Sequence, residues 1–475
     1  MTIQVSPSPV PNSNADNLVS SLLDRDAYLS ELLENVETYQ RLNADAAGSG
    51  TSLQNDHGIS LQTKFPWLQE VRDRAVNYVR HSTIPTTREE EWRFTDLSRL
   101  KQVKFHPVQT NHGANLQDTQ PEGSNHLVFV NGIYTPELSA IADLPDGVIV
   151  SNLGDLPAEY GEKIQKYLAK SEGALEVFTA LNTVGFNDVA VVWVPKNVVV
   201  EKPIHLVYLT ASSEQIISQA RCLIVAQSGS ELTLVEEYGN PEFLENKATE
   251  SVYFNNAVSE IWLEDNASIH HTRVVREAAG AFHIGKTAVT QARYSRYSCN
   301  AISLGGKLSR HNLEILQTGE QTETTLNGLT VISKQQLADT HSAIALNFPY
   351  GKSQQLHKTI IGDRAHAVFN GKIIVPKPAQ LTDASQLNRN LLLSSKARID
   401  TKPQLEITAD NVKCAHGATV SQLEDDEIFY LQSRGIDENA AHHLLIDAFA
   451  TEIIKQIPVA SLQESLIQSV NQMSA

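Results

Sequence analysis

Leu223-Ile224-Val225-Ala226-Gln227-Ser228-Gly229-Ser230-Glu231-Leu232-Thr233-Leu234-Val235 is the stretch on which the fold turns. Its two apolar runs are too short for helices, and a polar Gly-Ser break separates them. That pattern reads as two strands joined by a turn. It extends outward in both directions, through Leu127–Val130, Val189–Val194 and Ile204–Tyr208 on one side and Ile373–Val375 on the other. Further breaks fall at Asp265-Asn266, Gly305-Gly306, Gly362-Asp363 and Ser394-Ser395. Helical periodicity is scarce from Val189 to Tyr430. A sandwich and a solenoid of stacked strands both fit. The breaks are irregularly spaced, so periodicity does not separate the two.

Helical patterns bound this β region. Residues 1–16 are rich in Pro, Ser and Asn and read as a disordered tail. Leu18, Leu22, Leu29, Leu32, Leu33 and Val36 then recur at helical spacing, followed by a polar linker over 43–58. Pro66 suits the first turn of a second helix, whose apolar face would be Trp67, Leu68, Val71, Ala75 and Tyr78. Past Gly435, Asp437 is a good N-cap. Ala440, Ala441, Leu444, Leu445, Ala448, Phe449 and Ile453 form an apolar stripe that Pro458 ends, and Leu462, Leu466, Ile467 and Val470 mark a last helix. The expected units are a tail, helix and linker over 1–60, a helical region over 61–125, a β core over 126–435 and a helical region over 436–475.

The totals narrow the function. A formal charge of −17 argues against a nucleic-acid binder. No apolar run reaches the roughly 18 residues of a membrane helix. The N-terminus lacks a secretion signal, and Asp16, Asp24 and Asp26 are unlike a transit peptide. Three widely spaced cysteines, Cys222, Cys299 and Cys414, speak for a reducing cytosol rather than a disulfide framework.

Several segments could carry chemistry. In an extended segment Cys414 and His416 project from one face, and both side chains can ligate iron, copper or zinc. A structural metal or iron–sulfur cluster usually takes four ligands, so the pair is half a site and a partner should supply the rest. From spacing alone, a buried thiol and a hydrogen-bonded imidazole in a strand are the favoured reading. Gly280-Ala281-Phe282-His283-Ile284-Gly285-Lys286-Thr287 matches the phosphate-loop pattern. It lacks a buried strand before it and a helix after it, so a chance match is expected. Asp339, His341, His357 and His366 could be metal ligands or ordinary β-region side chains. Asp425-Asp426 could be glycosidase carboxylates, but a solvated turn before Ile428-Phe429-Tyr430 is the simpler reading.

Several blocks resemble the SufB/SufD family, scaffold subunits of the SUF iron–sulfur cluster assembly system. They are Glu90-Glu91-Trp92-Arg93-Phe94-Thr95-Asp96-Leu97, Phe129-Val130-Asn131-Gly132-Ile133-Tyr134, Ala180-Leu181-Asn182, Thr382-Asp383-Ala384-Ser385-Gln386, Asn390-Leu391-Leu392-Leu393-Ser394, Leu405-Glu406-Ile407 and the segment from Cys414 to Ile436. The resemblance covers roughly residues 65 to 455. It implies a mainly β fold, a right-handed parallel β-helix core flanked by N-terminal and C-terminal helical regions. It also implies a heterodimer with the paralogue SufB through the β-helix. The ATPase SufC would dock on the C-terminal helices, at Ala440, Ala441, Leu444, Leu445, Ala448 and Phe449. ATP hydrolysis then belongs to SufC and the chain is a non-catalytic scaffold in the bacterial cytosol. The residue matching His416 contributes to a transient iron–sulfur cluster at the SufB interface, with Cys414 beside it.

SufB carries Glu-His-Glu where this chain has Ala415-His416-Gly417. It also has a functional cysteine just before the position of Leu391-Leu392, where Leu387-Asn388-Arg389-Asn390 has none. Both departures favour the SufD side of the family, while Val420-Ser421 is a SufB-like feature. The competing class is an independent enzyme, either a P-loop ATPase through Lys286 or a β-helix polysaccharide enzyme. Flavin binding and self-association of the isolated chain stay open on sequence grounds.

Overall fold

The computed structural model describes residues 26–48, 61–108, 125–171, 173–212, 214–241 and 250–474. The tail over 1–16, Leu18, Leu22 and the later part of the expected linker lie outside them.

From Ala190 to Gln422 the chain winds as a β-solenoid. Strands alternate between two sheets, so each sheet stacks every second strand. The first sheet runs Ala190–Val194, Arg221–Ala226, Phe254–Leu263, Phe282–Gln291, Leu308–Gln317, Leu337–Ala345, His366–Val375, Arg398–Ile407. The second runs Val199–Leu209, Glu231–Gly239, Ser268–Arg276, Arg296–Leu304, Glu323–Ile332, Lys352–Ile361, Asp383–Leu392, Lys413–Gln422. Neighbours within each run are parallel. The choice between sandwich and solenoid therefore falls to the solenoid.

The corners explain how the strands stack. Asn266, Tyr294, Gln321, Tyr350 and Leu381 each hold a left-handed backbone, with φ of 59°, 60°, 59°, 61° and 61°. Each donates its backbone N–H to a carbonyl of the following turn, on Arg293, Glu320, Pro349, Gln380 and Asn411, at 2.7 to 3.1 Å. Side chains then alternate between the solenoid interior and the two outer faces. Leu232, Leu234, Ile261, Ile269, Ile344 and Ile373 are among the interior apolar residues.

Helices close the two outer faces. On the first sheet, helices Ala27–Gly48, Trp67–Arg80 and Val177–Gly185 bring Leu29, Leu33, Ala75, Val79 and Phe178 against Phe254, Phe282 and Ile284. On the second sheet, helices Glu438–Ile454 and Ala460–Ser474 bring Ile446, Ala450, Ile453 and Leu466 against Val235, Val274, Ile302 and Ile360. Asp437 is the N-cap, its Oδ1 accepting the Ala440 N–H at 3.0 Å.

Several local expectations need correction. The first helix runs on through Gly48, where a linker was expected from residue 43. In the helix Trp67–Arg80 the buried residue is Val79, while Tyr78 faces solvent because it lies about 100° away on the helix. Phe429-Tyr430 do not end the β region. The last strand stops at Gln422, and Asp425–Ser433 is a helix with Asp425, Asp426 and Glu427 in its first turn. Carboxylates there suit the positive end of the helix dipole.

The resemblance blocks fall at joints of the fold. Phe129–Tyr134 is a hairpin whose turn, Asn131-Gly132, has φ of 56° and 79°. Asn182 donates to the carbonyls of Ala220 and Asn256, both at 2.8 Å, tying a helix to two strands. Glu90–Leu97 clamps the first sheet. The Arg310 guanidinium lies 3.8 Å from the Trp92 ring centroid and pairs with Asp339, which also accepts a hydrogen bond from Thr95.

Candidate functional site

Among the described residues, nothing caps the C-terminal end of the solenoid. Arg398–Ile407 and Lys413–Gln422 are the outermost strands of their sheets, each ten residues long and each paired on one edge only. Their outer edges present unpaired backbone groups, a ready template for another strand. Cys414 and His416 sit on the second of these strands, opposite Ala384 and Gln386 of the strand below. Ala384 and Gln386 are buried in the solenoid interior, so Cys414 and His416 share the inward-facing register on the exposed end turn.

The two side chains differ in setting. Cys414 is half-buried and packs on the interior core. Burial raises its thiol above the ordinary range, nearby Asp383 adds to this, and a backbone hydrogen bond from Ala384 opposes it. The thiolate needed for ligation is therefore disfavoured until a cation is present. His416 is exposed and has no side-chain hydrogen bond among the described residues. Two ligands with an open approach cannot hold a cluster alone.

The other candidates resolve into structure. The segment matching the phosphate loop lies mostly within the strand Phe282–Gln291. Lys286 points to the outer face and pairs with Glu314 at 2.8 Å, while Thr287 points inward and bonds the His311 ring at 3.0 Å. Side chains on opposite faces cannot share one phosphate–magnesium site. Replacing Lys286 with Met is expected to cost about 1 kcal/mol of stability or less, because Glu314 is one-third exposed and water replaces the lost partner. Urea unfolding measures this, and ATP turnover of any assembly containing the chain should not change.

Asp339, His341, His357 and His366 do not converge. His341 contacts Asp339 at 3.0 Å and Glu91 at 3.2 Å, His366 contacts Asp400 at 2.7 Å, and His357 bonds Thr330 on the second sheet at 3.2 Å. Among the described residues no group of three His, Cys, Asp or Glu side chains could hold a metal ion.

The expected docking stripe divides. Ile453 is buried against the solenoid, and Ala441 is buried as well. Ala440, Leu444 and Ala448 remain exposed, while Leu445 and Phe449 are half-buried. The preceding helix adds Phe429 and Tyr430, which are 70% and 57% exposed. Periodicity missed these two because the segment was read as extended.

The sequence reading also missed the polar interior. Glu236, fully buried, accepts from Tyr238 and Ser259, both at 2.8 Å, and from Cys222 at 3.2 Å. Arg273 contacts the His283 ring at 2.6 Å, and His283 contacts Glu277 at 2.7 Å. Mid-strand glycines make the room. A Cβ on Gly285 would lie 2.3 Å from an Arg273 nitrogen, and one on Gly328 would lie 2.0 Å from His357 Nδ1. Glycine inside a strand signals such close approaches.

Comparison with known proteins bears on what this end does. The chain matches the family model described as SUF system FeS cluster assembly, SufBD core domain, over residues 208–449, and the SufBD protein N-terminal region over 53–206. It is 48% identical over 410 residues to an iron–sulfur cluster assembly SufBD family protein of Synechocystis, covering 85% of this chain and 90% of that protein. It is 34% identical over 425 residues to the chloroplastic protein ABCI7 of Arabidopsis thaliana, covering 87% of each. It is 31% identical over 394 residues to the iron–sulfur cluster assembly protein SufD of Escherichia coli, covering 82% of this chain and 89% of that one. With these matches running through both helical flanks and the solenoid, the chain belongs to the SufBD family of the SUF iron–sulfur cluster assembly system.

Proposed function

We propose that the chain is a SufD-type, non-catalytic scaffold that pairs end-on with SufB and presents His416 and Cys414 to a transient iron–sulfur cluster built across that junction. The observation that carries this reading is the uncapped solenoid end. Two ten-residue edge strands invite a second solenoid to continue both sheets by strand addition. The inward-facing thiol and imidazole of the last turn would then lie at the junction, where the paralogue supplies the missing ligands. The bacterial cytosol is the proposed compartment, with the plastid stroma the second choice on the likeness to a chloroplastic relative. The test is co-expression with the paralogue and the ATPase, followed by stoichiometry and iron and sulfide content. A chain that stays alone in the presence of both partners would overturn the reading.

The ATPase SufC is proposed to dock on the exposed apolar face formed by Phe429, Tyr430, Ala440, Leu444 and Ala448, beside half-buried Leu445 and Phe449. Ala441 is excluded from that surface by its burial. Deleting residues 437–475 would be a poor test, because it bares Val235, Val274, Ile302 and Ile360 on the second sheet. The double change Phe429→Ser with Leu444→Asp leaves that core intact. It is expected to weaken ATPase capture at least tenfold, about 1.4 kcal/mol, while pairing with the paralogue persists. Equal recovery of the ATPase in a quantitative pull-down would move its site elsewhere.

A further inference from the structure

The interior of the last turns carries a ladder of amides that ends beneath His416. Gln355 Nε2 donates to Ser342 Oγ at 2.8 Å, and Gln386 Nε2 donates to Gln355 Oε1 at 2.8 Å. The register stacks Gln355, Gln386 and His416 on successive strands. Gln386 is 2% exposed, yet its Oε1 is buried without a hydrogen-bond partner. Buried polar atoms are almost always satisfied, so an orphan of this kind asks for an explanation. The position is also built. A Cβ on Gly371 would lie 2.1 Å from Gln386 Nε2, so a mid-strand glycine leaves room for this amide.

We infer that Gln386 is a positioning residue for His416: the ring makes no hydrogen bond among the described residues, and turned inward over the end turn it would donate one N–H to the free Oε1, which fixes the tautomer. The inference rests on the reading of His416 as a cluster ligand. Its logic is the polarity of the ladder. Gln386 turns its NH2 group toward Gln355, and the atom it leaves unsatisfied is the acceptor Oε1. A neutral imidazole has one N–H and one lone pair. Donating the N–H inward leaves the lone pair of the other nitrogen pointing away from the ladder, toward the open end, where a metal would arrive. Metal-binding histidines are commonly oriented by such a partner on the second nitrogen.

The test is long-range ¹H–¹⁵N correlation on the full chain labelled with ¹⁵N-histidine, His416 being assigned by its absence in His416→Ala. The wild type is expected to give one dominant tautomer for His416. Gln386→Leu removes the acceptor, and Gly371→Ala displaces the amide without altering it. Both should shift the two ring nitrogens toward averaged values. Gln386→Glu should keep one dominant tautomer, because a carboxyl in either protonation state presents an acceptor oxygen to the ring. In the complex with the paralogue, Gln386→Leu is expected to lower iron affinity about tenfold, with recovery in Gln386→Glu. Unchanged His416 signals in both Gly371→Ala and folded Gln386→Leu would overturn the inference. If Gln386→Leu does not fold, Gly371→Ala alone decides. Normal cluster content in His416→Ala would instead defeat the ligand reading, and the nitrogen shifts would still say whether Gln386 holds the ring.

Discussion

Lowering the pH from 7 to 4 is expected to remove at least about 3 kcal/mol of the chain's stability, beginning as the pH passes 6.5. His357 lies inside the solenoid, stacked on the Phe369 ring at 5.0 Å. Desolvation pushes its imidazole down to about 4. His205 is held at about 4 by burial first and by neighbouring His126 second. The unfolded chain takes these protons near 6.5 and the folded chain only near 4. Stability is therefore intact above 6.5, falls between 6.5 and 4, and levels off below. Each of these lowered imidazoles is worth roughly 3 kcal/mol. Asp188 acts in the opposite sense, since burial raises its carboxyl to about 6. The folded chain gains that proton first, so Asp188 adds roughly 3 kcal/mol as pH falls from 6 toward 4. Of these two imidazoles and one carboxyl, one imidazole remains unbalanced, and His271, His283 and His311, whose rings burial also holds down, act in the same direction. Urea midpoints at pH 7, 5.5 and 4 measure the slope, and His357→Gln should flatten it. Parallel curves for wild type and variant would show that His357 has no part in the acid response.

Much of the fold was legible in the chain, and what was not has physical causes. The apolar runs quoted from Leu127 to Val375 lie in strands, Val189 alone falling just outside its own, and the five polar breaks lie between strands. The repeat itself was hidden. The stacked corners at Asn266, Tyr294, Gln321, Tyr350 and Leu381 are 28, 27, 29 and 31 residues apart, from the differences of their numbers. Of these only Asn266 is a residue that favours a left-handed backbone; Tyr294, Tyr350 and Leu381 are not turn signals at all. Hydrogen bonds to the next turn hold them there, and such bonds exist only once the solenoid has stacked. The outward turn of Phe429 and Tyr430 was hidden for a similar reason, because nothing in an aromatic pair tells a strand end from an exposed helix face. For the site, strand alternation was enough to put Cys414 and His416 on one face. It could not tell that this strand is the last of its sheet, nor that Gln386 and Gly371 underlie it, since those are contacts between turns.

The interior polarity bears on specificity. A solenoid filled only with leucine and isoleucine would tolerate a slip of one turn, because every turn would look alike. Glu236 with its three donors, Arg273 over Gly285, His357 over Gly328 and Gln386 over Gly371 each fit one register only. A slip would drive a Cβ into an amide or ring and leave a buried charge without its partners, which costs more than the hydrogen bonds stabilise.

His416→Ala is expected to reduce the iron and sulfide content of the complex with the paralogue about tenfold while leaving its stoichiometry unchanged. The ring is exposed and makes no hydrogen bond among the described residues, so trimming it costs the isolated chain little, about 0.5 kcal/mol or less. Pairing through two ten-residue edges draws on backbone groups that the substitution does not touch. A cluster held by about four ligands, however, loses one outright. Cys414 decides whether the loss is shared. Its thiol is kept protonated by burial, so it joins only when a cation offsets the cost of the thiolate. If thiol and imidazole serve one cluster, Cys414→Ala alone should lower the content as His416→Ala does. The double variant should then be scarcely worse than either single change, a non-additivity of the kind expected for groups acting at one site. Additive losses would place the two on separate tasks. A full complement of iron and sulfide in the His416→Ala complex would return the pair to a purely structural role on the last strand.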